Sequence, residues 1–143
     1  MTEDLNGIFS GETVLIADDD EFFRELLSSL LVFSGLSIVS EVATGQEALV
    51  EFLAHKPMLV FLDINMPGIN GLDVLKQIRS VSPSTFIFVV SGETTKENML
   101  KAIFENADAI IAKPFTFSRV IHEIRKALEQ PKGWRRTQRF SAA

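Results

Sequence analysis

Strand-like and helix-like patterns alternate five times along the chain. The strand candidates are Thr13–Ala17, Ser37–Glu41, Met58–Leu62, Thr85–Val90 and Ala109–Ala112. All but the second are nearly continuous apolar runs, the pattern of strands covered on both faces of a parallel sheet. The second is shorter and more mixed, which suits an edge position. Between these runs, apolar residues recur at helical spacing. Phe22, Phe23, Leu26, Leu27, Leu30 and Leu31 form one stripe, and Phe117, Val120, Ile121, Ile124 and Leu128 form another. Helix starts carry their own signals. Thr44…Glu47 and Thr94…Glu97 each fit a capping box, Asn70 precedes a helix predicted over Gly71–Ser80, and Thr116 precedes the last helix. The alternation predicts an α/β fold around a parallel sheet. Because crossovers are right-handed and the elements alternate, the strand-to-helix connections all lie along one edge of that sheet.

Four of the apolar runs end in a polar residue. Val14–Ala17 runs into Asp18-Asp19-Asp20, Met58–Leu62 into Asp63, Phe86–Val90 into Ser91, and Ala109–Ala112 into Lys113. Ligands of open α/β sheets bind outside the carboxyl ends of the strands. The fold is therefore expected to gather carboxylates, a hydroxyl and an ammonium in one crevice.

Taken singly, each residue has an ordinary explanation, and the conjunction does not. An isolated Asp run is most simply a solvated turn with one member capping the next helix. Asp20 suits that cap, which leaves Asp18 and Asp19 for a hard cation such as Mg²⁺, with its preference for carboxylates, waters and phosphate oxygens. Asp63 is poorly explained as a cap, because Ile64-Asn65-Met66-Pro67-Gly68 separates it from any helix. A carboxylate there can take a phosphoryl group as an aspartyl phosphate, provided a metal ion and a lysine offset the charge. Lys113 alone would be a surface lysine. Opposite an acidic cluster it relieves a repulsion that would otherwise push carboxylates toward protonation. The Lys113-Pro114 bond is a candidate cis peptide that would aim the lysine at the site. Ser91 brings a hydroxyl that can donate to a phosphoryl oxygen and move when that oxygen arrives.

Composition narrows the class. The chain has 143 residues, 46% of them hydrophobic, enough for one domain with a sizeable core. A net charge of −5 argues against a nucleic-acid footprint on the body of the domain. The absence of cysteine excludes disulfides and thiolate metal sites and is compatible with the cytoplasm. Met1–Gly11 has no signal-peptide core, and no apolar run approaches membrane-spanning length. We expect a soluble, cytoplasmic chain with no membrane partner. Its divisions are a flexible leader over 1–11, a folded domain over 12–130, and a basic tail or linker start over 131–143. That last segment holds Trp134, Arg135, Arg136 and Arg139 after Pro131 and Gly133, and is most simply a solvated tail.

The stretches Val-Leu-Ile-Ala-Asp-Asp-Asp (14–20), Leu-Asp-Ile-Asn-Met-Pro-Gly-Ile-Asn-Gly (62–71), Val-Val-Ser-Gly (89–92) and Ala-Lys-Pro-Phe (112–115) give the chain a family likeness. Over roughly Glu12 to Glu129 it resembles the receiver domain of bacterial two-component response regulators, in particular the single-domain chemotaxis type. The resemblance implies a flavodoxin-like doubly wound sheet of five parallel strands in the order 2-1-3-4-5, with helices on both faces. It implies that Asp63 accepts a phosphoryl group from the phosphohistidine of a sensor histidine kinase or phosphotransfer protein. Asp19 would ligate Mg²⁺ directly, Asp18 through a water, and Asn65 through its backbone carbonyl. Lys113 would pair with a phosphoryl oxygen and Ser91 would be the switch hydroxyl. Asn65, Gly92 and Glu93 would tune the lifetime of the phosphoryl group, and the residue types at 65 and 93 resemble those of fast-dephosphorylating relatives. Output would pass to a downstream effector protein through the fourth helix, fifth strand and fifth helix, a face through which receivers also form phosphorylation-promoted dimers.

Two departures stand out. Many receivers carry Tyr or Phe three residues before the lysine, and here that position is Ile110. Asn106 stands where Gly is usual, a mild change because Asn tolerates the left-handed conformation. Two other classes are weighed against the switch. Aspartate-nucleophile phosphatases of the haloacid dehalogenase type use the same residue types, but on the first strand in Asp-x-Asp and with a cap domain. Here the acceptor is on the third strand in Asp-x-Asn. A receiver-like binding module without phosphorylation would not need the intact set of Asp18, Asp19, Asp63, Ser91 and Lys113.

Overall fold

The computed structural model describes residues 5–130. The expected basic tail over 131–143, with Trp134 and its arginines, lies outside the described residues. Five strands and five helices alternate: β1 (Thr13–Ala17), α1 (Glu21–Phe33), β2 (Ser37–Val42), α2 (Gly45–His55), β3 (Leu59–Leu62), α3 (Gly71–Val81), β4 (Phe86–Ser91), α4 (Lys96–Phe104), β5 (Ala109–Ala112) and α5 (Phe117–Leu128). The strands form one parallel sheet in the order β2-β1-β3-β4-β5.

Strand alternation splits the apolar runs into two cores. Leu15, Ala17, Val60, Leu62, Ile87 and Val89 point to the face covered by α2, α3 and α4. Val14, Ile16, Leu59, Phe61, Phe88 and Val90 point to the face covered by α1 and α5. On that second face Phe61 and Phe88 are register partners, and their rings stack at 4.8 Å. The central strands thus need apolar residues at every position, which is why they read as continuous runs.

The helices start mostly where their caps predict. Asp20 accepts the Phe23 N–H, Thr44 the Glu47 N–H, Asn70 the Asp73 N–H and Thr116 the Arg119 N–H. The fourth helix differs by one residue: Thr95, not Thr94, is its cap and accepts the Asn98 N–H. Adjacent threonines offer equivalent hydroxyls, so the backbone leaving β4 decides between them. Glu97, expected in a capping box, pairs instead with Lys101 at 3.2 Å. Asn106 takes the left-handed conformation, with φ 64.

Other expectations need adjustment. β2 does occupy an edge, but at six residues it is as long as β4. β5 is the opposite edge, and only Ile111 in it is buried; Ala109 on the same face and Ile110 on the other are partly buried. On α1, Phe22 and Leu26 belong to the apolar stripe yet are exposed. The segment expected to be a flexible leader is docked from Leu5 onward. Gly7, Phe9 and Gly11 donate backbone N–H bonds to the carbonyls of Phe33, Ser34 and Gly35, and Leu5, Ile8 and Phe9 pack on the α1/α5 side. Gly35, at φ 101, makes this approach possible, because a Cβ there would collide with the Phe9 carbonyl oxygen.

Among the described residues, the charged side chain of Arg79 is fully interior. Arg79 at the end of α3 donates to the carbonyls of Pro83 and Asn106 at 3.0 and 2.9 Å, to that of Thr85, and to Asp108 Oδ2 at 3.2 Å. The same Asp108 oxygen accepts the Ile87 N–H at 2.7 Å. This cluster ties the α3–β4 and α4–β5 connections together at the amino edge of the sheet. Removing one partner of a buried pair strands the other. Arg79→Leu is therefore expected to lower stability by about 3–5 kcal/mol, read from the urea midpoint.

Candidate functional site

The polar residues at the four strand ends meet at the carboxyl edge. β1 and β3 are paired with Ala17 opposite Leu62, so Asp18 and Asp63 emerge side by side. The backbone continues the pairing, the Asp63 N–H donating to the Ala17 carbonyl at 2.9 Å. Gly71 lets α3 begin directly against this strand end, since a Cβ there would run into the Asp63 carbonyl oxygen. Its N–H donates to the Ile64 carbonyl at 2.8 Å.

Carboxylate oxygens of Asp18, Asp19 and Asp63 lie within 4.8 Å of one another. Asp18 and Asp63 are buried and Asp19 is exposed. Lys113 reaches in from the end of β5, its Nζ 2.7 Å from Asp18 Oδ2 and 3.5 Å from Asp63 Oδ2. Its peptide bond to Pro114 is cis. Asp18 Oδ1 accepts the Asp20 N–H at 2.9 Å. Ser91 ends β4 fully buried; its Oγ accepts the Glu93 N–H at 3.1 Å and keeps its own proton for another acceptor. Asn65, Gly92 and Glu93 line a cavity of ≈ 340 Å³ together with Asp63, Phe23 and Lys113. Ile110 lies on β5, half-buried against the α2/α3/α4 core.

Two residues at the site were not singled out by sequence. Arg24 Nη1 donates to the Asp18 carbonyl at 2.6 Å and fixes the loop after β1. The ring of Phe23 lies under the Lys113 ammonium, 4.7 Å from Nζ to centroid. In the sequence Phe23 is one member of an apolar stripe, and only the position of β5 relative to α1 brings a cation to it.

Three close carboxylates in a partly dry site repel one another. Burial pushes the Asp63 carboxyl up from 3.8 to about 6; Lys113 pulls it down and Asp18 pushes it further up. The donor set of hard oxygens with an open cavity beside it fits a Mg²⁺ ion, which tolerates few protein ligands and retains water. A bound divalent cation would also relieve the crowding of carboxylates.

The sequence matches the response regulator receiver domain family over residues 14–125. It is 35% identical to the chemotaxis protein CheY of Thermotoga maritima over 116 residues, covering 81% of this chain and 97% of that one. It is 34% identical to the chemotaxis protein CheY of Bacillus subtilis, covering 80% of this chain and 96% of that one. Among solved structures it resembles a CheY-like response regulator receiver domain protein of Methanospirillum hungatei, with a TM-score of 0.79 at 27% identity, covering 84% of this chain and 95% of that one.

The raised Asp63 has a sign-definite consequence. The folded protein binds its proton more tightly than the unfolded chain does, so this group's contribution to stability falls as pH rises from 3.8 through about 6. Without metal, Asp63→Asn is expected to be more stable than the parent by about 1–3 kcal/mol at pH 7.5. The difference should close below pH 4, as followed by thermal unfolding across pH in chelator. Added Mg²⁺ should raise the midpoint of the parent more than that of the variant.

Proposed function

The chain belongs to the response regulator receiver domain family, and we propose that Asp63 is the residue whose phosphorylation operates it as a two-component signalling switch. The observation that carries this assignment is the position of Asp63. It faces the cavity, sits within reach of two further carboxylates, and has the Lys113 ammonium beside it. Asp18, Asp19, Asp63 and the Asn65 backbone carbonyl would hold Mg²⁺, which when bound supplies positive charge for the incoming phosphoryl oxygens.

An Asp63 oxygen attacks the phosphorus of a phosphohistidine on a sensor kinase or phosphotransfer protein. The P–O bond forms as the P–N bond breaks, and the imidazole leaves with the electron pair of that bond. Lys113 offsets the charge on one equatorial oxygen and Ser91 donates its hydroxyl proton to another. Asp63 must be ionised to attack, and with a value of about 6 it is largely so at neutral pH. Beyond handling its own phosphoryl group, the domain performs no turnover on other substrates.

Readout is assigned to α4, β5 and α5. On α4 the side chains of Leu100, Ile103 and Phe104 are 56, 62 and 84% exposed, an apolar face suited to a protein effector or to a second copy of the chain. The setting proposed is the cytoplasm; none of the described helices is long and apolar enough to cross a membrane.

Acetyl phosphate with Mg²⁺ tests the chemistry. The parent is expected to gain one acid-stable, base-labile phosphoryl group, and Asp63→Asn none. Multiple turnover of small phosphate esters would instead indicate a phosphatase, and a parent that never labels would indicate a binding module. The lifetime is a separate expectation. Asn65 and Glu93 border the path of an attacking water, and we expect loss of label within minutes after removal of the donor. A half-life of hours would contradict that role for the two residues.

A further inference from the structure

The Lys113 ammonium has three near neighbours: Asp18 at 2.7 Å, Asp63 at 3.5 Å and the face of Phe23 at 4.7 Å. The two carboxylates are the groups whose circumstances change most when metal and phosphoryl arrive. The ring is the neighbour whose charge does not change. It also packs against two further rings, edge-on against Phe22 with centroids at 5.3 Å and obliquely against Phe115 at 5.8 Å. Phe115 stands two residues after Lys113, so the lysine's own loop and α1 meet through this aromatic stack. Phe23 also lines the cavity beside Asp63.

We infer that Phe23 is a positioning residue for Lys113. Its ring keeps the ammonium over the cavity while the hydrogen-bond acceptor changes from Asp18 to a phosphoryl oxygen on Asp63. The inference rests on the reading of Asp63 as the phosphoryl acceptor. A cation against a partly desolvated aromatic face is held by the ring's quadrupole, an attraction that ring fluorination weakens at nearly constant shape. A leucine at the same place would keep much of the packing and lose the attraction altogether.

The test replaces Phe23 by its mono-, tri- and pentafluorinated analogues and by leucine, and follows Asp63 labelling by acetyl phosphate at saturating Mg²⁺. The expected result is a stepwise fall in labelling rate along the series, reaching about threefold to tenfold for the pentafluoro and leucine proteins. A metal-free double-mutant cycle between Phe23→Leu and Lys113→Met, read by urea unfolding, should show positive coupling. Labelling at the parental rate in the pentafluoro protein would overturn the inference. So would an absence of coupling in the cycle, or a rate loss that tracks thermal stability instead of fluorination. A parent protein that takes no label on Asp63 would overturn the acceptor reading itself, and the inference with it, a result distinct from a labelled parent with a flat fluorination series.

Discussion

Ala17 in register with Leu62 sets Asp18 beside Asp63 at the ends of two strands that are buried at every position but Thr13. Nothing in that arrangement is comfortable for the carboxylates. They leave the apolar core together, share one edge, and are joined there by Asp19. Like charges so close in a medium that screens poorly either take up protons or recruit cations. The protein supplies one cation of its own, Lys113, which arrives from β5 across the width of two intervening strands. Burial first, and Asp18 after it, keep the Asp63 carboxyl raised despite Lys113, and a bound divalent cation would offset both.

The surrounding structure serves that cluster in identifiable ways. The capping of α1 by Asp20 and the bond from Arg24 to the Asp18 carbonyl fix the first acidic loop. Gly71 allows α3 to close against the strand that carries Asp63. At the opposite edge of the sheet, Arg79 and Asp108 lock the connections around β4 and β5. β4 and β5 carry Ser91 and Lys113, so the lock also steadies the strands that bring the hydroxyl and the ammonium to the site. α4, between them, buries only Ala102 and turns an apolar face outward. A helix with so little burial is held by few apolar contacts.

Most of the architecture is legible in the sequence. Unbroken apolar runs marked the central strands because those strands are covered on both faces. Asp20, Asn70, Thr44 and Thr116 marked helix starts because capping is local chemistry. The features that differ from the sequence pattern share a different origin. β5 resembles a central strand because Ala109 and Ile111 face one core and Ile110 the other, while its edge position beside β4 alone is invisible in four residues. Thr94 and Thr95 were equivalent until the chain leaving β4 chose between them. The docking of residues 5–11 combines backbone bonds to the end of α1 and the turn after it with packing of Leu5, Ile8 and Phe9, three apolar residues too few and irregular to mark an element.

For the site, the sequence alone determined which chemical groups stand at which strand ends, and parallel right-handed winding then obliges those ends to share an edge. Periodicity and residue type alone therefore bring Asp18, Asp19, Asp63, Ser91 and Lys113 to one edge. The tertiary structure decided how they meet. It placed the Lys113 ammonium closer to Asp18 than to Asp63, set the Phe23 ring beneath it, and left Asn65 and Glu93 on the rim of the cavity. Those relations depend on sheet twist and on the packing of α1 against the loop after β5. They join residues far apart in the chain, Lys113 standing 95 positions from Asp18, 90 from Phe23 and 50 from Asp63, and no local pattern encodes a distance between them.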